Sequence, residues 1–193
     1  MSYEMRKAVT RRLNDSRVLR EYFVGNGIDI GAGNDSLNFY KEFFPLINSV
    51  LSWDVDQGDA QYLSNIKDNT FDFAVSSHCL EHLLDPQIAL HNWIRVVRRK
   101  GHLVITVPDE DLYEQRRWPS FFNSDHKHSF TIAKDKSWCP KSVNILELLQ
   151  KEINSIKIKK IELLDTLFFK EISPTDQTQF CSESAIEIVI QKL

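Results

Sequence analysis

Cysteine is the first thing in short supply. The chain has three in 193 residues, Cys79, Cys139 and Cys181. They are odd in number, far apart and without a C-x-x-C pair, which argues against a disulfide framework and for reduced thiols. No apolar run is long enough to span a bilayer, and the charged start from Met1 to Arg12 has no apolar signal core. A soluble, cytoplasmic protein with no membrane partner is expected. A surplus of positive charge is also missing: the formal net charge is -3, and Lys and Arg cluster only at Arg98-Arg99-Lys100 and Arg116-Arg117. Nucleic acid is therefore not an expected partner. With no repeats, low-complexity tracts or second-domain boundary, residues 1–193 read as one domain.

What is present alternates between strand and helix signals. Residues 1–24 suggest two short N-terminal helices, with a break and an N-cap at Asn14-Asp15-Ser16. Ile28 and Ile30 mark a first strand ending at Gly31. Leu37, Tyr40, Phe44 and Ile47 are spaced for a crossover helix over Ser36 to Asn48. A second strand runs from Ser49 to Trp53. The stretch from Asp56 to Phe71 is too short for helix, strand and helix, so the third strand is expected as a stub near Gly58-Asp59-Ala60. Phe71 to Ser76 reads as a fourth, buried strand. Pro86 opens a helix closing on Arg98-Arg99-Lys100-Gly101, a basic C-cap. His102 to Val107 forms a fifth strand, and Asn144 to Ile153 a helix. Ile156 to Asp165 and Ala185 to Lys192 are two last strands able to pair antiparallel. The expected fold is α/β: a doubly wound, mostly parallel seven-stranded sheet with a short third strand and a C-terminal antiparallel strand.

The organising stretch is Gly27-Ile28-Asp29-Ile30-Gly31-Ala32-Gly33-Asn34-Asp35. A buried strand, a glycine turn and a helix start form the nucleotide-binding corner of such a sheet. Asp54, at the end of the second strand, is placed to accept the hydrogens of ribose hydroxyls, with Asp56 as a substitute. Asp35 stands where a dinucleotide would put its pyrophosphate. Two like charges there would cost on the order of a few kcal/mol. A cofactor without phosphate and with net positive charge meets no such penalty; the alternative reading of Asp35 is a simple N-cap.

At this point the chain resembles the class I S-adenosylmethionine-dependent methyltransferases. Ile28-Asp29-Ile30-Gly31-Ala32-Gly33-Asn34 looks like their first motif. Gly58-Asp59-Ala60, Asn69 to Ser77, Leu80-Glu81-His82-Leu83, Asp85-Pro86, Arg95-Val96-Val97 and Gly101 to Pro108 follow in that family's order. The resemblance covers about residues 25–110. It implies S-adenosyl-L-methionine as cofactor, with Gly31 and Gly33 beneath its methionine part and Asp29 near its ammonium group. Asp54 would hold the ribose hydroxyls, and Asp59 with Ala60 would meet the adenine edge. Ser77 and His78 would line the junction between cofactor and acceptor. Two departures stand out: Asp35 replaces a frequent third glycine, and Arg99-Lys100-Gly101 replaces a Pro-Gly-Gly turn.

Residues 109–141 are aperiodic and rich in aromatics, Asp, His, Ser and Pro, as in a functional loop or lid. This is the expected acceptor loop, with His126 the leading base and His78 beside the fourth strand a second candidate. A small polar acceptor, a saccharide or another hydroxylated metabolite, suits such a loop. Three rival readings follow from the same residues. One is a domain that binds the cofactor without catalysis. Another is a nicotinamide oxidoreductase, for which little chain remains to build a substrate domain. The third is a zinc hydrolase, because His78-Cys79-Leu80-Glu81-His82 matches H-x-x-E-H. Asp125, His126 and His128 offer metal-ligand spacing as well, but no metal is expected. Oligomeric state has no sequence signal.

Overall fold

The structure, a computed structural model, describes residues 3–193. The first two residues of the segment expected to be helical thus lie outside it. Helix α1 spans Glu4–Leu13, with Glu4 in its first turn and Arg11 and Arg12 in its last, a charge order that suits the helix dipole. The chain breaks at Asn14 and makes one π-helical turn over Val18–Tyr22. Strand β1, Gly25–Ile30, buries its last four residues.

A six-stranded sheet follows, in the order β2-β1-β3-β4-β8-β7. Its strands are β2 Ile47–Trp53, β3 Phe71–Ser77, β4 Val97–Pro108, β7 Ile156–Leu164 and β8 Ala185–Lys192, together with β1. The pairs β1–β2, β1–β3 and β3–β4 are parallel. Strand β8 pairs antiparallel with both β4 and β7. The mostly parallel sheet with a C-terminal antiparallel strand matches expectation. The strand count does not: there are six strands, not seven.

The missing strand is the stub expected at Gly58-Asp59-Ala60. Residues 54–70 form turns, and side chains satisfy the backbone groups that a strand would have paired. Trp53 Nε1 donates to Gly58 O at 3.1 Å, and Trp93 Nε1 to Ala60 O at 2.8 Å. The Arg95 guanidinium donates to Ile66 O at 2.7 Å and Leu63 O at 3.1 Å. Trp93 and Arg95 belong to α2, Pro86–Val96, whose N-cap Asp85 accepts from Gln87 N and Ile88 N. This helix stops at Val96, earlier than expected. The basic quartet Arg98 to Gly101 is an excursion inside β4, because the register jumps from Phe71↔Val97 to Phe73↔His102. Lys100 has φ +65° there.

Two further expectations change. The crossover helix over Ser36 to Asn48 is instead two 3₁₀ turns, Leu37–Phe39 and Lys41–Phe43. Pro45 has no N–H to extend a helix, and few residues separate the turn from β2. The last helix, α3, is short, Ile145–Gln150. The expected loop carries a small parallel pair, β5 Ser129–Thr131 with β6 Ser142–Asn144.

The core has two layers, one on each face of the sheet. On one face Trp93, Leu90 and Ala89 of α2 and Ile145 of α3 pack on Ile28, Ile30, Ala74 and Ile105. On the other, Met5, Val9, Tyr22 and Phe23 pack on Phe73, Val75, Val104 and Val189. Arg12 is fully buried in that second layer and meets Glu187 Oε2 at 3.2 Å and Thr106 Oγ1 at 3.2 Å. No helix among the described residues is long and apolar enough to cross a membrane.

Candidate active site

The turn after β1 needs its glycines. Gly31 has φ +74°, and a Cβ on it would stand 2.5 Å from Cys79 Cβ. Gly33 has φ +51°, and an added Cβ would meet only Asp54 Oδ2, at 4.0 Å. The first glycine lets β3's continuation pass close behind the turn; the second leaves open space in front of it.

That open space is a cleft of about 490 Å³ lined by Gly31, Gly33, Asp54, Gly58, Asp59, Ala60, His78 and His82, among others. A smaller cavity of about 160 Å³ adjoins it and is lined by Glu4, Asp29, Gly31, Gly33, Asp35, Ser77 and His78. Gly31, Gly33 and His78 belong to both, so the two are halves of one site folded over the glycine turn. Together they present six carboxylates, counting Asp125, and no lysine or arginine.

Every residue expected to bind the cofactor lies on this surface. Asp54 Oδ2 accepts from Gly33 N at 2.9 Å and Oδ1 from Val55 N at 2.8 Å, which fixes the carboxylate at the strand end with lone pairs to spare. Asp59 Oδ1 accepts from Gln61 N at 2.7 Å. Asp29 is buried, and its Oδ2 accepts from Leu37 N at 2.7 Å. Burial pushes its pKa up to about 6, against the opposing pull of the hydrogen bonds from Leu37 and Ser36. Ser77 Oγ is buried without a hydrogen-bond partner among the described residues. Asp35 does not cap a helix of its own. Its carboxylate accepts from Arg6 N at 3.0 Å, in the first turn of α1, and from Tyr40 Oη at 2.7 Å. Ser36 caps the following turn instead.

Next to the cleft, the histidines are gathered around Glu81, which only the zinc-hydrolase reading of the sequence singles out. Its side chain is fully buried, and neither oxygen has a hydrogen-bond partner among the described residues. His78 Nδ1 lies 3.2 Å from Glu81 Oε1, and His126 Nε2 lies 4.0 Å from the same oxygen. His78 takes φ +55° to reach this position, and its Nε2 lies 3.8 Å from Glu4 Oε2. Burial lowers the His78 pKa, but the Glu81 contact and the Glu4 charge outweigh it and raise it overall. For Glu81 burial raises the pKa, and the neighbouring His78, followed by His126 and His82, brings it below the usual value.

His126 does not line the cleft. It is nearly buried behind His82, with Nδ1 2.7 Å from Glu114 Oε1 and its ring 5.0 Å from the His82 ring. His82 stands on the cleft wall, with Nδ1 2.9 Å from Asp125 Oδ2. The loop is locked here by backbone bonds, since Lys127 N and His128 N both donate to Glu81 O, at 2.8 and 3.2 Å. His128 turns away and contacts Leu84 O. His78 and His82 do not share a helix face, because residues 80–82 make a single 3₁₀ turn. Glu4 and Glu114 escaped notice, one looking like a surface helix residue and the other sitting in an aperiodic loop.

A profile of the methyltransferase-domain family matches residues 1–141. The chain belongs to that family. No curated protein matches it in sequence. Solved structures do match in fold. A candidate S-adenosylmethionine-dependent methyltransferase from Listeria monocytogenes aligns with TM-score 0.62 at 12% identity, over 98% of this chain and 99% of that one. An S-adenosylmethionine-dependent methyltransferase from Archaeoglobus fulgidus aligns with TM-score 0.58 at 18% identity, covering 100% and 95%. The N-methyltransferase NodS of Bradyrhizobium japonicum WM9, solved with S-adenosyl-L-homocysteine, aligns with TM-score 0.52 at 14% identity, covering 97% and 86%. The shared fold is a Rossmann-like sheet, which has six strands in this chain.

Proposed function

We propose that the chain is a methyltransferase that uses S-adenosyl-L-methionine to methylate a small polar acceptor, a saccharide or another hydroxylated metabolite. One observation carries the reading: the two-lobed cleft over Gly31 and Gly33 has six carboxylates on its walls and no lysine or arginine. A pyrophosphate would find no counter-charge there, whereas a cofactor bearing a sulfonium and an ammonium is favoured. Asp54 would take the ribose hydroxyls, and Asp59 and Ala60 the adenine edge. Gly31 and Gly33 would admit the methionine part, with Asp29 near its ammonium group. Buried Ser77 Oγ supplies an unspent polar contact in the smaller lobe.

The bound cofactor supplies an activated methyl group, and the chain's contribution is alignment and exclusion of water, which can be worth several kcal/mol of barrier. His78 sits where the two lobes meet, at the expected junction of cofactor and acceptor. His126 backs the acceptor side through His82 and Glu81. His78 would then be the group that takes the acceptor's proton, and His126, away from the cleft, would act only indirectly.

Calorimetry with S-adenosyl-L-homocysteine and with NAD tests the first half. Binding of the former alone is expected; binding of NAD alone would overturn it. A screen of metabolite extracts with labelled cofactor tests the second half. Cofactor binding with no labelled product from any extract would make this a binding domain without catalysis. A His126→Ala variant that methylates the identified acceptor at the parental rate would remove His126 from the reaction.

A further inference from the structure

The least explained group in the molecule is the Glu81 carboxylate. It is fully buried, and neither oxygen is hydrogen-bonded among the described residues. Among the described residues no lysine or arginine forms an ion pair with it; its near neighbours are His78 and His126. An ionised carboxylate so placed is costly unless something else compensates it.

The histidines around it show what that would be. One donor atom from each of Glu81, His82 and His126 lies within 4.8 Å of those of the other two. Both imidazoles are engaged at Nδ1 by a carboxylate: His82 by Asp125 Oδ2 at 2.9 Å, and His126 by Glu114 Oε1 at 2.7 Å. A carboxylate behind the ring fixes the tautomer and presents Nε2 as a strong ligand, the arrangement usual for histidines that bind metals. Backbone bonds from Lys127 and His128 to Glu81 O hold the two ligand-bearing segments together. His78 lies on the other side of the same carboxylate, Nδ1 3.2 Å from Glu81 Oε1 and Nε2 3.8 Å from Glu4 Oε2, and falls outside the three-residue cluster; His128 contacts Leu84 O.

We propose that Glu81, His82 and His126 bind a divalent transition-metal ion, with Asp125 and Glu114 as the outer carboxylates that orient the two imidazoles. Two nitrogens and one carboxylate suit zinc, iron, cobalt or manganese better than magnesium or calcium. The ion compensates the Glu81 charge and draws the three ligands closer than they stand without it. His82 is on the cleft wall, so coordination positions that the protein leaves free open toward the cleft. They would take an oxygen of the acceptor, which favours hydroxyl- or carboxylate-bearing substrates. In this part the proposal rests on the methyltransferase reading. His126 then acts through the ion, which accounts for its seat behind His82.

The test is metal binding itself, on tag-free full-length protein stripped with a chelator. Titration with cobalt(II), followed by its visible d–d absorption, is expected to saturate at one equivalent. Zinc should displace the signal, and magnesium in large excess should not. Glu81→Gln and His126→Gln should each weaken cobalt binding at least a hundredfold. Asp125→Asn, at an exposed side chain, should weaken it about tenfold. Calorimetric binding of S-adenosyl-L-homocysteine by each variant serves as the control for folding. Cobalt binding that is absent from the parent protein, or unaffected by Glu81→Gln and Asp125→Asn in variants that still bind S-adenosyl-L-homocysteine, would overturn the site. Failure of the methyltransferase reading looks different: cobalt binds as described and S-adenosyl-L-homocysteine does not.

Discussion

Asp54 and Gly33 are joined by a 2.9 Å hydrogen bond from the Gly33 amide to Asp54 Oδ2, linking the end of β2 to the turn after β1. The carboxylate is held in place before any ligand arrives. Asp54→Ala removes a hydrogen-bond acceptor worth roughly 2 kcal/mol to a ribose diol. The affinity for S-adenosyl-L-homocysteine should fall ten- to a hundredfold by calorimetry, while the fold survives.

Gly31 and Gly33 should separate stability from binding. Gly31→Ala forces a Cβ to within 2.5 Å of Cys79 Cβ at φ +74° and should cost about 3 kcal/mol in urea denaturation. Gly33→Ala adds a methyl group that meets nothing nearer than 4.0 Å. It should cost about 1 kcal/mol of stability, yet weaken cofactor binding about tenfold by intruding on the cleft.

Asp29 should make cofactor binding pH-dependent. Its pKa is raised to about 6, so in the free protein it is largely ionised at pH 7 and largely protonated at pH 5. A ligand ammonium group favours the ionised form and so must displace the proton at low pH. The dissociation constant for S-adenosyl-L-homocysteine should therefore rise about tenfold from pH 7 to pH 5. In Asp29→Asn the dependence should flatten, with binding weak throughout; an unchanged slope would place the titrating group elsewhere.

Glu187 should govern acid stability. It is buried against Arg12, Arg11 and Lys160, and although burial alone would raise its pKa, these cations lower it to about 2. A depressed carboxylate stabilises the fold above its ordinary pKa of 4.5, and that contribution is lost as pH falls from there toward 2. Glu187→Gln strands the buried Arg12 charge and should cost about 3–5 kcal/mol at pH 7. The gap to the parent protein should narrow between pH 5 and pH 2 in urea titrations.

Some of this was legible in the chain and some was not. Local signals carried well: Gly31 and Gly33 after Ile28 and Ile30 and Asp85-Pro86 opening α2 mean in space what they mean in sequence, and β8 stands where expected, although its alternation hid a strand buried on both faces. The helix expected over Ser36 to Asn48 failed although Leu37 and Phe44 are buried as its spacing required. Two 3₁₀ turns bury the same pair in less chain. The third strand failed because the Gly58 and Ala60 carbonyls are taken by the Trp53 and Trp93 indoles, and Trp93 stands 33 residues further along the chain than Ala60. On the site, cofactor-side residues lie at strand ends and announce themselves by position. The acceptor side gathers Glu4, Glu81, Glu114 and His126 from segments far apart, and only the fold brings them together.

The absent strand has one more consequence. The wall expected to face the adenine, residues 58–60, is pinned by two indole N–H groups rather than by a ladder shared with a neighbouring strand. A strand peels from the end inward and disturbs its partner; a wall pinned by side chains swings out when a few pins release. Nucleobase entry and exit can thus be a hinge event confined to this segment, with β1, β2 and the glycine turn left undisturbed beneath it.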